Sequence, residues 1–148
     1  MKPHILIKTN IEFETYDDVF HHLADTFIKK GIVKESYRKA IFEREADFPT
    51  GIALEYHAVA IPHCDASHAI EPAIYFIRPT KAVAFNRPDE DSTVDAELII
   101  ALVVTDPKDQ LVVLRKLFGK LQDNEFVETL TKAADADLPN IIKDNLQF

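Results

Sequence analysis

Seven consecutive apolar residues, Leu98-Ile99-Ile100-Ala101-Leu102-Val103-Val104, constrain this chain more than any other segment. Successive side chains of a strand point to opposite faces, so a run without a polar member buries both of them. It reads as a central strand with cover on each side, and it is far shorter than the ~20 apolar residues that span a bilayer as a helix. Such a strand requires amphipathic helices to lie over it.

Three good candidates are present. Thr15 with Asp18 resembles a capping box, and Tyr16, Val19, Phe20, Leu23, Ala24, Phe27 and Ile28 follow at helical spacing up to Lys29-Lys30-Gly31. Ser36 caps a second helix running to about Glu45, with Tyr37, Ala40 and Ile41 inward and Pro49 beyond its end. Asp106-Pro107 starts a third, with an acceptor at the cap and proline in the first turn; Leu111, Leu114, Leu117, Phe118 and Leu121 give its inner stripe. Short helices near 124–133 and 138–146 close the chain.

Between Thr50 and Thr105 the periodicity changes. Ala58 to Ile61, Ala73 to Ile77, Lys81 to Phe85 and Glu97 to Val104 are short runs rich in branched or aromatic residues, interrupted by Pro79 and by Asn86 to Ser92. At 148 residues the length fits one domain spanning 1–148, and a domain of that size buries roughly 70% of its unfolded surface.

The chemistry is concentrated where the Ala58–Ile61 run ends. Pro62 has no N–H to give a ladder, so pairing should stop there and leave His63 at a strand end near solvent. Imidazole is the nitrogen nucleophile whose pKa lies closest to neutrality, and it can accept a phosphoryl group and pass it on. Arg44 supplies a planar, permanently charged fork for phosphoryl oxygens.

Arg44-Glu45, Thr50-Gly51-Ile52 and Val59-Ala60-Ile61-Pro62-His63 together resemble the enzyme IIA domains of the fructose and mannitol superfamily (type 2) of the sugar phosphotransferase system. The longer loop Leu54-Glu55-Tyr56-His57, then His63-Cys64-Asp65, Ala73-Ile74-Tyr75-Phe76-Ile77-Arg78-Pro79-Thr80 and Leu117-Phe118-Gly119-Lys120-Leu121-Gln122, is similar to the galactitol-type branch. Many relatives carry a second histidine in a later helix. Here the matching place reads Asp109-Gln110-Leu111, and Gln110 can donate a hydrogen bond to a phosphoryl oxygen but cannot carry charge.

That resemblance implies a single α/β domain whose mixed sheet of about five strands is flanked by helices. It implies a soluble, cytoplasmic IIA component of a galactitol-like transporter, a phosphohistidine phosphotransferase. His63 would take a phosphoryl group from the general carrier HPr and pass it to the cysteine of a cognate IIB, with the sugar phosphorylated later at the membrane component IIC. Arg44 and Gln110 would support the phosphoryl group, needing no metal or other cofactor, and apolar residues such as Ile52 and Ile61 would form a water-excluding rim. The alternative is a stand-alone phosphohistidine regulatory domain controlling another protein.

Charge and composition fit a phosphocarrier. A formal net charge of −8 repels nucleic-acid phosphate and anionic membrane, and suits transient docking on a basic partner. The lone Cys64 forbids an internal disulfide and reads as a small buried thiol, and the N-terminus lacks a secretory apolar region. His57, His63, Asp65 and His68 do not match zinc-motif spacing. His57 reads as an exposed loop residue, with the active-site rim as its functional alternative. His4, His21 and His22 read as polar surface.

Overall fold

The computed structural model describes residues 2–146. In chain order it contains β1 (His4–Ile11), α1 (Tyr16–Lys29), α2 (Tyr37–Asp47), β2 (Gly51–Ala53), β3 (Ala58–Ala60), β4 (Ala73–Pro79), β5 (Val83–Asn86), β6 (Thr93–Ala96), β7 (Leu98–Val103), α3 (Pro107–Leu121), α4 (Asn124–Lys132) and α5 (Leu138–Asn145).

The apolar run is the middle of the main sheet, which has the order β1-β4-β7-β3-β2. β7 is buried along its whole length, antiparallel to β4 and parallel to β3, while β1 runs parallel to β4 and β2 antiparallel to β3. The single-domain α/β architecture with a mixed five-stranded sheet is thus the expected one.

Strand alternation divides the core into two layers. Ala73, Tyr75 and Ile77 of β4, with Ile99, Ala101 and Val103 of β7, pack against Phe20, Leu23 and Phe27 of α1 and Tyr37 and Ile41 of α2. Ile74, Phe76, Leu98, Ile100 and Leu102 point the other way, onto Leu117 of α3, Val127 and Leu130 of α4 and Ile142 of α5. Each Leu, Ile, Val or Phe side chain so removed from water contributes about 1.5–3 kcal/mol, so both helical layers are anchored through the same two strands.

Helix boundaries follow local chemistry. The Thr15 and Asp18 capping box is formed on α1, and Asp106 caps α3 by accepting from the Lys108 N–H at 2.9 Å. Gly31, at φ 72°, adopts the left-handed conformation that ends α1.

Several expectations need correction. The inner stripe of α3 is Val113, Leu117 and Leu121, with Leu114 partly buried; Leu111 and Phe118 lie on the solvent side. Those two residues sit roughly 120° and 100° around a 3.6-residue helix from Leu117, so they cannot face the sheet with it. The run near Lys81–Phe85 is not in the main sheet: β5 pairs antiparallel with β6 as a separate two-stranded ribbon. β1, β2 and β6 lie outside the anticipated strands. β1 is an edge strand whose register with β4 breaks between Thr9 and Ile11, where Asn10 has φ 56°.

Candidate phosphoryl-transfer site

The main sheet delivers His63 from the end of β3. Ile61 still donates its N–H to the Thr50 carbonyl at 3.2 Å, then Pro62 ends pairing on that side, and His63 turns off the sheet with its side chain buried. Both ring nitrogens are defined. Nδ1 lies 2.7 Å from the Ile61 carbonyl oxygen, which can only accept, so Nδ1 carries the proton. Nε2 therefore presents its lone pair, and it faces Arg44 Nη2 at 3.3 Å.

Arg44 is held for this position by its own helix end. Its Nη1 donates to the Phe48 carbonyl at 2.6 Å, its guanidinium carbon lies 5.1 Å from the centroid of the Phe48 ring, and its carbonyl accepts the Phe48 N–H. One edge of the fork is thus committed to the protein and the other to His63. Ion pairing with Glu45 or Asp47, the ordinary fate of such an arginine, is not what the geometry shows.

Electrostatics favour neutral imidazole. Burial is the main force holding the His63 pKa below its ordinary value, Arg44 adds to it, and the Ile61 hydrogen bond opposes both. A neutral ring with Nε2 unprotonated is the nucleophilic form, and here Arg44 Nη2 donates to that nitrogen. The adjacent Cys64 is the opposite case: burial, with Asp65, pushes its thiol up to about 12, so it cannot supply a thiolate near neutral pH.

Gln110 comes to the same neighbourhood. Its Nε2 donates to the Cys64 carbonyl at 2.9 Å, tying the first turn of α3 to the residue after His63, and the amide keeps a second N–H. Asp106 engages the α3 terminus itself: its side chain takes the Lys108 N–H, and its carbonyl takes those of Asp109 and Gln110. Gln110, more than the helix end, is what α3 offers the site.

The other histidines have partners of their own. His57 precedes β3 while His63 follows it, so the strand separates them and His57 is no part of the rim. Nor is it an exposed loop residue. Its side chain is 12% exposed, with Nδ1 2.6 Å from Glu97 and Nε2 2.5 Å from Glu128. Burial alone would lower its pKa, but the two carboxylates outweigh it and raise the value. His68 bonds Ser36, and among the described residues no group of three potential ligands could hold a metal ion. Ile61 is buried and Ile52 partly buried in the layer under α3–α5, and the exposed ring beside Arg44 is Phe48. His22 does not sit on the polar surface as expected: it is half-buried and lies 2.7 Å from the Tyr75 hydroxyl.

Glu45 is the residue whose place the sequence reading missed. Its carboxylate accepts from the Thr50 N–H at 2.9 Å and the Thr50 hydroxyl at 2.7 Å, and burial raises its pKa against those hydrogen bonds. The signal was available: Tyr37, Ile41 and Glu45 recur at intervals of four, placing a carboxylate on the inward stripe of α2.

Comparison with known proteins places this geometry. Residues 3–145 match the family described as phosphoenolpyruvate-dependent sugar phosphotransferase system, EIIA 2. The galactitol-specific EIIA component of the phosphotransferase system of Escherichia coli K12 is 45% identical over 134 residues, covering 90% of this chain and 89% of that one. Among solved structures, the nitrogen regulatory protein IIA-Ntr from Neisseria meningitidis superposes with a TM-score of 0.75 at 26% identity, covering 92% of each chain. The E. coli mannitol enzyme IIA, solved in complex with its phosphorylated enzyme IIB, gives 0.73 at 19% identity, covering 93% of this chain and 94% of that one, which speaks to the fold.

Proposed function

The chain belongs to the EIIA 2 family of the phosphoenolpyruvate-dependent sugar phosphotransferase system, and from that premise we propose that it is the IIA phosphocarrier of a galactitol or related polyol transporter. The observation that carries the site assignment is the fixed tautomer of His63, with Nδ1 tied to the Ile61 carbonyl and Nε2 unprotonated and facing Arg44 Nη2. The galactitol assignment rests on the 45% identity to the galactitol-specific relative. That identity favours a transporter component over a stand-alone regulatory domain, whose structural counterpart is 26% identical.

In this reading the Nε2 lone pair attacks the phosphorus of phosphohistidine on HPr in line. The new N–P bond forms as the old one breaks, and the departing imidazole keeps the bonding pair. The protein's contribution is positioning and charge neutralisation. Arg44 Nη2 swings from Nε2 onto the incoming oxygens, and the second N–H of Gln110 supplies a further donor. Transfer onward reverses the geometry: a thiolate of the cognate IIB attacks the same phosphorus, and Nε2 leaves with its pair, its ring still protonated at Nδ1. Neither nucleotide nor metal enters the scheme. The working form is a single EIIA type 2 domain in the cytoplasm, meeting HPr and IIB in turn, while IIC acts downstream in the membrane. No helix among the described residues is long and apolar enough to cross a membrane.

Intact-mass analysis after incubation with phosphoenolpyruvate, enzyme I and HPr tests this reading. The expected result is an acid-labile gain of one phosphoryl group, lost in His63→Ala and kept in His57→Ala. Full labelling of His63→Ala would overturn the site assignment.

A further inference from the structure

Setting aside the tyrosines and Cys64, the buried polar residues among those described are Glu45, Thr50 and His63; Glu45 and Thr50 are bonded directly, and Thr50 reaches His63 through the Ile61 backbone. We propose that Glu45 is a positioning residue of this site: its carboxylate fixes Thr50, and through Thr50 it sets both Arg44 over Nε2 and the Ile61 carbonyl under Nδ1. The catalytic half of this inference rests on the phosphocarrier reading above; the geometric half does not.

Two arms leave the Glu45–Thr50 contact. On one, the carboxylate holds the turn 48–50 closed against the end of α2, with both its oxygens engaged by Thr50. That turn carries the Phe48 carbonyl on which Arg44 Nη1 is anchored, so its closure decides where Nη2 points. On the other arm, the Thr50 carbonyl accepts the Ile61 N–H, and the Ile61 carbonyl in turn accepts Nδ1–H of His63. The nucleophile is thereby held from both nitrogens by groups that converge on one side chain.

A purely structural tie would not call for this residue. Glu45 occupies a position on α2 where Tyr37 and Ile41 are buried apolar side chains, and it is 2% exposed. Placing a carboxylate there costs desolvation that an apolar side chain would avoid. What it adds is a bidentate acceptor matched to a backbone N–H and a hydroxyl on the same residue, a rigid joint between helix and strand.

The test compares Glu45→Ala, Glu45→Gln and Thr50→Val in the full chain. It reads single-turnover transfer from phospho-HPr together with the imidazole 15N shifts of His63, which report the tautomer. Glu45→Ala is expected to slow transfer roughly tenfold or more at saturating phospho-HPr, with KM changed by less than about threefold, and to move His63 from the Nδ1–H tautomer toward a mixture. Glu45→Gln keeps an acceptor for the Thr50 N–H and a donor for its hydroxyl, and should restore most of the rate. In the Arg44→Ala background Glu45→Ala should cost far less than it does alone, because the Arg44 arm is already gone. Wild-type rate and tautomer in Glu45→Ala would overturn the proposal, as would a rate loss that adds in full to that of Arg44→Ala. If Glu45→Ala does not fold, Thr50→Val carries the test: a shifted tautomer supports the joint, and an unchanged tautomer and rate refute it. A wild type that takes no phosphoryl group would sink the phosphocarrier reading, yet the 15N shifts would still decide whether Glu45 orients His63.

Discussion

Replacing Arg44 with lysine keeps the positive charge and removes the fork, which makes it the sharpest test of how the site neutralises a phosphoryl group. In the structure the guanidinium does two things at once: Nη1 donates to the Phe48 carbonyl at 2.6 Å, and Nη2 faces His63 Nε2 at 3.3 Å. A lysine has one nitrogen on a flexible stem. It can satisfy the helix-end carbonyl or meet the phosphoryl oxygens, but not both in one pose. The expected loss is one charge-assisted hydrogen bond in the transition state, about 1.5–3 kcal/mol. Since about 1.4 kcal/mol is tenfold in rate, transfer should slow roughly 10- to 150-fold. Rapid-quench single-turnover transfer from phospho-HPr would measure it, with thermal melting run alongside. Stability should fall by no more than about 1.5 kcal/mol, the worth of one ordinary hydrogen bond. A lysine variant within about threefold of wild type would show that a point charge suffices and that the bidentate geometry is incidental.

Two further perturbations read other parts of the molecule. His63 and His57 should give stability opposite dependences on pH. The folded His63 pKa lies below the unfolded value of about 6.5, so the unfolded chain binds more protons and stability falls on acidification below that pH; His57, raised in the fold, stabilises below about pH 6.5 and loses that contribution as pH climbs through its folded pKa. Denaturant titrations across pH on His63→Gln and His57→Ala should each erase one slope, and an unchanged curve in either variant would refute its assignment. Gly51→Ala should destabilise by about 1–3 kcal/mol, a fall in Tm of roughly 2–12 °C, because an added Cβ would lie 2.6 Å from the Asn86 carbonyl oxygen and 2.9 Å from Phe85 Cβ. A loss under about 0.5 kcal/mol, judged by chemical denaturation, would mean that β2 and the β5–β6 ribbon slide apart freely.

What was legible in the sequence depended on how far each signal reached along the chain. The Leu98–Val104 run announced a doubly covered central strand, because burial of both faces leaves no polar residue in the pattern, and β7 is that strand. The α1 capping box was equally local. By contrast β2 has three residues, too few for any periodicity, and owes its existence to pairing with β3. On α3 apolar residues lie on more than one face, and only packing on the sheet selects Val113, Leu117 and Leu121 as the inward stripe. At the site, Arg44 was visible as a residue type near the end of a helix and His63 after a strand, and the structure brings them together. The partners of His57 were not visible, since Glu97 and Glu128 are distant in sequence and meet it only after the sheet forms.

The irregular end of β1 bears on how the protein keeps company with copies of itself. A bare sheet edge is a template on which another chain can lay a strand. Here the outer edge presents His4, Lys8 and Asn10 to solvent, and the left-handed Asn10 throws the ladder out of step just where a visiting strand would need to continue. The opposite edge, β2, is three residues long and offers almost no ladder to copy. Both flanks of the sheet are thus guarded against strand-to-strand aggregation, one by a kink and charge, the other by brevity.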